Sequence, residues 1–153
     1  MSELKIVCDR NLVGVETLLG GIGEVVLYDG RAIDRAAVAD ADALLVRSIT
    51  PVNEELLSGS PVQFVGTATA GFDHFDVAWL ESAGINWANA PGCNANSVVE
   101  YVLAAVLATD DYWDRLVKGG VLGIVGYGHV GRLLAKRARS LGIKVSVNDP
   151  WLD

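Results

Sequence analysis

Only two cysteines, Cys8 and Cys93, occur in the chain, and their spacing fits neither a metal motif nor a disulfide framework. In a reducing compartment both stay thiols. Basic residues are also in short supply: twelve lysines and arginines stand against nineteen aspartates and glutamates, for a formal net charge of −7. That balance argues against nucleic acid and anionic membranes as partners, and it leaves the capture of any anionic substrate to local groups rather than to the overall field. No apolar run is long enough to span a bilayer. The start, Met1-Ser2-Glu3-Leu4-Lys5, lacks the basic-then-apolar layout of a signal peptide, so the expected location is the cytoplasm. Internal repeats and low-complexity segments are absent too.

What the chain does have is apolar residues, 51% of 153, enough for one compact domain or one and a half small ones. They come in alternation. Leu4 to Cys8, Val25 to Tyr28, Ala43 to Val46, Gln63 to Gly66 and Ile85 to Ala88 read as short buried strands. Leu12 to Leu19, Asp34 to Ala39, Asn53 to Leu57 and Asp76 to Ala83 carry apolar residues at helical spacing, with Asp76 as N-cap and Gly84 as stop of the last. Strands alternating with helices imply right-handed crossovers and a parallel sheet covered on both faces.

Ala90-Pro91-Gly92-Cys93-Asn94 marks a domain crossing. Beyond it, Ser97-Val98-Val99-Glu100 has the spacing of a capping box. From Val98 to Leu107 the following helix is apolar on nearly every face, which predicts burial all round, between two domains or against a second subunit. Asp110 to Asp114 is expected to end it. The expected organisation is residues 1–92 as a substrate domain, 93–115 as an interdomain or dimerisation helix, and 116–153 as the first βαβ of an incomplete NAD-binding domain. The fold class is therefore α/β: a flavodoxin-like open parallel sheet followed by the first half of a Rossmann domain.

That second assignment rests on Gly126-Tyr127-Gly128-His129-Val130-Gly131, set between the apolar run Val121 to Val125 and a basic helical stretch from Arg132, with Asp149 ending the next strand. In a dinucleotide fingerprint the first glycine permits the tight turn, the second admits the pyrophosphate to the backbone, and the third lets helix and strand pack closely. Backbone N–H groups at the new helix's start meet the phosphate charge. Gly126, Gly128, His129, Val130 and Gly131 are thus the expected cofactor-binding loop, the last two non-glycine positions through their backbone. Asp149 is suited to accept hydrogen bonds from the adenosine ribose and to repel a 2′-phosphate, which selects NAD over NADP.

The segments Val46-Arg47-Ser48-Ile49-Thr50, Phe64 to Gly71 with Asp73-His74, and Ala90 to Asn94 leading to Val98-Val99-Glu100-Tyr101-Val102 resemble the front part of the D-2-hydroxyacid dehydrogenase family, and within it the members that act on 4-phospho-D-erythronate. The resemblance implies NAD-dependent oxidation of a phosphorylated 2-hydroxy acid to its 2-oxo acid, a step toward pyridoxal phosphate, by a cytoplasmic homodimer. It carries substrate contact onto Ser48 and Thr69, both just past predicted strand ends, where open α/β sheets bind ligands. Their hydroxyls, and the amides beside the small residues Ala70 and Gly71, are suited to carboxylate or phosphate oxygens. Arg47 is read either as an anion partner or as the partner of a structural carboxylate.

The family's catalytic arginine, glutamate and histidine fall beyond Asp153, so no catalytic residue is expected in residues 1–153, which are expected to be inactive alone and to bind NAD weakly at most. Neither His74 nor His129 matches the catalytic position. His74 reads as a turn or domain-packing residue, and the side chain of His129 is expected to point away from the pyrophosphate. Three other readings share these features: a 2-hydroxyacid dehydrogenase of different specificity, an NAD(H)-responsive regulator, and a truncated product dimerised through the helix from Ser97 to Leu107.

Overall fold

A computed structural model describes residues 4–109 and 111–152. The chain divides into two compact units, Met1–Pro91 and Gly92–Asp153. The first alternates strands and helices: β1 (Leu4–Asp9), α1 (Val15–Leu19), β2 (Gly23–Tyr28), β3 (Ala43–Val46), α2 (Glu54–Leu57), β4 (Phe64–Thr67), α3 (Val77–Ser82) and β5 (Asn86–Ala88). All five strands are parallel in the order β2-β1-β3-β4-β5. This is the flavodoxin-like order, whose direction of winding reverses between β1 and β3.

Period-two alternation sorts the strand residues onto two faces. Val7, Leu44, Val46 and Val65 point one way, into a core closed by Val38, Val52, Leu57 and Leu80. Ile6, Cys8, Ala43 and Leu45 point the other way, toward Leu12, Val15 and Leu19. Both faces of the sheet are covered, as a parallel sheet requires. Burial in this second, apolar layer pushes the Cys8 thiol up to about 11, so it stays protonated and unreactive.

Local chemistry sets the helix ends. The side chains of Asn53 and Asp76 accept the amides of Leu56 (3.1 Å) and Trp79 (3.1 Å), capping α2 and α3. Gly84, at φ 71°, supplies the left-handed residue that ends α3. Loss of such a cap costs about 1 kcal/mol. Urea denaturation of Asp76→Ala is expected to show a destabilisation of about that size; an unchanged midpoint would count against the cap.

Two expectations fail here. Asp34 to Ala39 forms no helix: a 3₁₀ turn at Gly30–Ala32 is followed by successive turns closed by three-residue bonds, Ala39 N–H to Ala36 O (3.5 Å) and Ala41 N–H to Val38 O (3.2 Å). Asp34 caps this turn by accepting the Ala37 amide at 3.0 Å. Val38 and Ala41 are fully buried in the core and the Asp42 amide is bound to the Lys5 carbonyl of β1 (2.9 Å), which holds the segment in turns rather than in a helix. The first helix also starts later than its apolar spacing suggests, because Gly14 at φ 78° breaks the run ahead of Val15.

The second unit contains α4 (Ala95–Ala108), α5 (Tyr112–Val117), β6 (Val121–Val125), α6 (His129–Ser140) and β7 (Lys144–Asn148), with β6 and β7 parallel. Its core joins Val99 of α4 to Ile124 of β6 and to Leu134 and Ala135 of α6. The capping box at Ser97 does not form. A turn at Gly92 (φ 76°) starts α4 earlier, Asn94 is its N-cap without a side-chain bond, and Ser97 lies inside the helix. Glu100 turns instead to Arg137 of α6 (3.4 Å). Within this unit α4 is covered on one side. Only Ala95 and Val99 are buried, whereas Tyr101 is 75% and Leu107 57% exposed, because α6 and the strands cover a single stripe. Asp110, at the expected end of α4, lies outside the described residues. The short helix α5, which the sequence reading passes over, follows a left-handed Asp111 (φ 62°).

Candidate cofactor and substrate sites

The glycine loop joins β6 to α6. Gly126 sits at φ 89°, a conformation that side chains rarely adopt, and its amide donates to the Asn148 carbonyl at the end of β7 (2.8 Å). A Cβ built at Gly126 or Gly128 meets nothing within 4 Å, so both glycines border open space. Gly131 is the opposite case. Its Cβ would fall onto the Gly126 carbonyl, 3.1 Å from the carbonyl carbon and 3.4 Å from the Ile124 side chain.

The third glycine therefore lets α6 pack against the loop, while the first two keep space clear in front of it. Gly128 is the N-cap of this twelve-residue helix and brings no side chain to its free amides. The ring of His129 turns back against Gly92, whose Cβ would lie 3.0 Å from the imidazole Nδ1. Val130 packs into the core beside Val99, so only its backbone faces the loop.

Asp149 closes the loop from the far side. One carboxylate oxygen accepts the Tyr127 amide and the other the Trp151 amide (2.9 Å). The Trp151 and Tyr127 amides, then the nearby Arg132 charge, hold its carboxyl below the usual range despite partial burial. Arg132 is placed by its own bond from Nε to the Tyr127 carbonyl (2.8 Å), with its guanidinium 5.6 Å from the Tyr127 ring. Each Asp149 oxygen keeps a second lone pair, so the carboxylate can accept two further hydroxyls without breaking the loop. Open space before two glycines, uncapped amides at a helix start and an ionised acceptor at the next strand end together fit the diphosphate and ribose of a dinucleotide.

In the first unit, the ends of β1, β3 and β4 lie side by side. Asp9 is fully buried at the end of β1, and its Oδ2 accepts Arg47 Nε at 2.9 Å across the β1/β3 reversal. Its Oδ1 accepts both the Asn11 amide (2.9 Å) and Asn11 Nδ2 (3.1 Å). Burial alone would raise this carboxyl; the Asn11 and Arg47 hydrogen bonds outweigh it and hold Asp9 below its ordinary value. Arg47 thus serves a structural carboxylate. Asp9 itself escapes the sequence reading, although an aspartate ending an apolar run signals a buried charge in need of a partner.

Ser48 is exposed just past β3 and makes no side-chain hydrogen bond among the described residues, so no cap or turn occupies its hydroxyl. Thr69 lies past β4 in a loop held from behind by Ala90 N–H to Thr69 O (3.0 Å) and Asn89 Nδ2 to Ala70 O (2.7 Å). The Thr69 hydroxyl is 2.8 Å from that of Thr67 and donates to the Gly71 carbonyl at 2.9 Å. His74 Nε2 stands 3.1 Å from the Thr67 hydroxyl. The sequence offered no direct signal for that contact, since it depends on the loop doubling back. The Ala70 and Gly71 amides have no partner among the described residues. Free amides and an exposed serine hydroxyl at parallel strand ends suit an anionic, hydroxylated small molecule.

Residues 6–146 match the model of the D-isomer specific 2-hydroxyacid dehydrogenase, catalytic domain. The chain is 50% identical over 149 residues to erythronate-4-phosphate dehydrogenase of Cellvibrio japonicus, covering 97% of this chain and 38% of that protein. It is 49% identical over 147 residues to the enzyme of the same name from Pseudomonas syringae pv. tomato, covering 96% and 39%. The chain thus spans well under half the length of these curated relatives. Among solved structures it resembles NAD+-bound 3-phosphoglycerate dehydrogenase of Entamoeba histolytica, with a TM-score of 0.77, 30% identity, and 99% of this chain and 56% of that one covered. The D-lactate dehydrogenase of Aquifex aeolicus, complexed with NAD and lactic acid, shares the fold at a TM-score of 0.75 and 20% identity, with 97% and 52% covered.

Proposed function

The chain belongs to the D-isomer specific 2-hydroxyacid dehydrogenase family, and from that premise we propose that it forms part of an NAD-dependent dehydrogenase that oxidises 4-phospho-D-erythronate at its 2-hydroxyl, on the route to pyridoxal phosphate. The observation that carries this reading is 50% identity to erythronate-4-phosphate dehydrogenase over 97% of the chain, a span that includes both candidate loops. Structural relatives bound to NAD support the cofactor.

In this reading Gly126, Gly128 and the amides of His129, Val130 and Gly131 hold the diphosphate, and Asp149 takes the ribose hydroxyls. When bound, NAD would supply the hydride acceptor for the oxidation at C2. Ser48, Thr69 and the Ala70 and Gly71 amides hold the substrate and orient C2, with the Ser48 hydroxyl and the two amides neutralising negative charge by hydrogen bonds. The catalytic arginine, glutamate and histidine of the family belong outside residues 1–153. Among the described residues neither histidine suits the role of general base: His74 faces Thr67 and His129 packs on Gly92. No helix among the described residues is long and apolar enough to cross a membrane. A cytoplasmic homodimer is the assembly this reading carries, with the exposed apolar side of α4 around Tyr101 and Leu107 as the face available to a second copy.

The test is NAD reduction by the complete protein with 4-phospho-D-erythronate, 3-phospho-D-glycerate and D-lactate compared. Highest kcat/KM on the first is expected; preference for either other acid overturns the assignment. NAD is expected to bind at least about tenfold more tightly than NADP, because a 2′-phosphate would meet the ionised Asp149. Equal or tighter NADP binding in a titration followed by fluorescence would remove Asp149 from that role.

A further inference from the structure

The hydrogen bonds behind Thr69 form one continuous chain from His74 through Thr67 and Thr69 to Gly71. Its end is the Gly71 carbonyl, which can only accept. Thr69 must therefore spend its single proton on Gly71, at 2.9 Å. The 2.8 Å contact between the two threonines then has Thr67 as donor. With its own proton committed, Thr67 can only accept from the ring nitrogen 3.1 Å away, so His74 carries hydrogen on Nε2.

The reverse arrangement, with a bare Nε2, would turn both threonine protons toward the histidine and leave the Gly71 carbonyl without its donor. His74 is anchored independently of this chain. Its carbonyl accepts the Val52 amide at 2.8 Å and its ring lies edge-on to Phe75 with centroids 4.7 Å apart. Burial of the ring holds it below the ordinary histidine value, which keeps it neutral at neutral pH.

With one lone pair filled by Thr67 and the proton given to Gly71, the Thr69 oxygen has only a lone pair left. It is an acceptor toward the outside. A carboxylate or phosphate oxygen gains nothing from it and turns to the free amides of Ala70 and Gly71, whereas a hydroxyl can donate to it.

Resting on the substrate reading given above, we propose that His74 is a positioning residue that, through Thr67, locks Thr69 as a hydrogen-bond acceptor for a substrate hydroxyl beside the reacting one. In 4-phospho-D-erythronate that group is the 3-hydroxyl. The relay thereby selects a dihydroxy acid over a 3-deoxy acid, and the charged ends of the substrate are left to amides and cations. The expectation that the Thr69 hydroxyl donates to an anion is replaced by the opposite polarity.

Two measurements test it. In histidine-¹⁵N-labelled protein, long-range nitrogen–proton correlations are expected to show His74 as the Nε2–H tautomer, and an Nδ1–H tautomer overturns the relay. In the complete enzyme, kinetics compare 4-phospho-D-erythronate with its 3-deoxy analogue. The wild type should favour the former by about tenfold or more, the net worth of a single hydrogen bond. His74→Leu and Thr69→Val should each erase most of that preference by raising KM for the hydroxylated substrate alone, with KM for NAD unmoved, and His74→Gln should restore part of it by returning an N–H. A His74→Leu variant that weakens both substrates equally has lost only structure, and that result overturns the proposal while leaving the substrate assignment standing. Turnover of neither compound by the wild type refutes the substrate assignment itself, and the proposal falls with it.

Discussion

Gly131→Ala is expected to cost about 2–3 kcal/mol of stability in the second unit, the size of an overpacking penalty that backbone must absorb. The added methyl falls onto the Gly126 carbonyl, and neither group is the free end of a flexible side chain. Relief requires α6 to back away from the loop, which also strains the contacts of Leu134, Ala135 and Ala138 on the buried side of the helix. The amides of His129 and Val130 move with it. A displacement of order 1 Å is enough to slow a reaction by about a hundredfold, so turnover of the complete protein should fall by about that factor and NAD binding should weaken with it.

Gly128→Ala separates the two effects. Its backbone, at φ −74°, suits any residue and its Cβ meets nothing within 4 Å. Stability should stay within about 0.5 kcal/mol of the wild type, while NAD binding weakens because the methyl enters the space kept for the diphosphate. Chemical denaturation and an NAD titration of both variants of the complete protein check this. A Gly128→Ala protein that binds NAD like the wild type would show that the dinucleotide does not use this cradle.

The second large effect is expected at Asp9. Removing one partner of a buried ion pair is strongly destabilising, because it leaves the other donors without an acceptor. Asp9→Ala strands the Asn11 amide and the Arg47 guanidinium together. Arg47 is about one-third exposed and can turn partly to water, which puts the expected loss near the lower end of the range for such pairs, about 3 kcal/mol.

The sign of the pH dependence follows from Asp9 having a folded-state carboxyl below its ordinary value. Above the unfolded-state value, about 3.9, the unfolded chain gains no proton advantage and the full contribution is present. As pH falls below that, the unfolded state binds the proton first, and the contribution drains away until the folded carboxyl is also protonated. Wild type and Asp9→Ala should therefore differ most near neutral pH and converge in acid. Urea denaturation at pH 7 and at about pH 3 makes the comparison, the lower value chosen to lie below the free carboxyl's range. A gap that stays constant with pH would mean that Asp9 is held by packing rather than by charge.

Much of this was legible in local patterns. A strand announces itself by a short apolar run bounded by turn residues, and β3 spans the very residues, Ala43 to Val46, that its composition marks out. Asp76 and Gly84 bracket α3 as expected because a cap satisfies neighbours three residues away and a left-handed glycine acts on its own turn. The glycine fingerprint is equally local, since its three glycines answer to one tight turn and the helix that follows it.

Where local propensity competes with distant partners, the partners win. Asp34 to Ala39 has alanines enough for a helix, but Val38 is buried in the core and Asp42, just beyond, is bound to Lys5 of the interior strand β1. Ser97 and Glu100 have capping-box spacing, but the turn at Gly92 starts α4 first and Arg137 claims the glutamate.

By itself, then, the sequence determined the alternation of strands and helices, the glycine turn with its acid at the next strand end, and the family to which they belong, because each is encoded within about one turn or one strand of chain. Only the tertiary structure decided which groups meet at the strand ends. The order β2-β1-β3-β4-β5 sets Asp9 beside Arg47, 38 residues later, and the loop after β4 folds His74 back onto Thr67. Sheet order brings residues distant in sequence into hydrogen-bond range, and the acceptor at the end of that network, a backbone carbonyl, fixes which way every proton in it points.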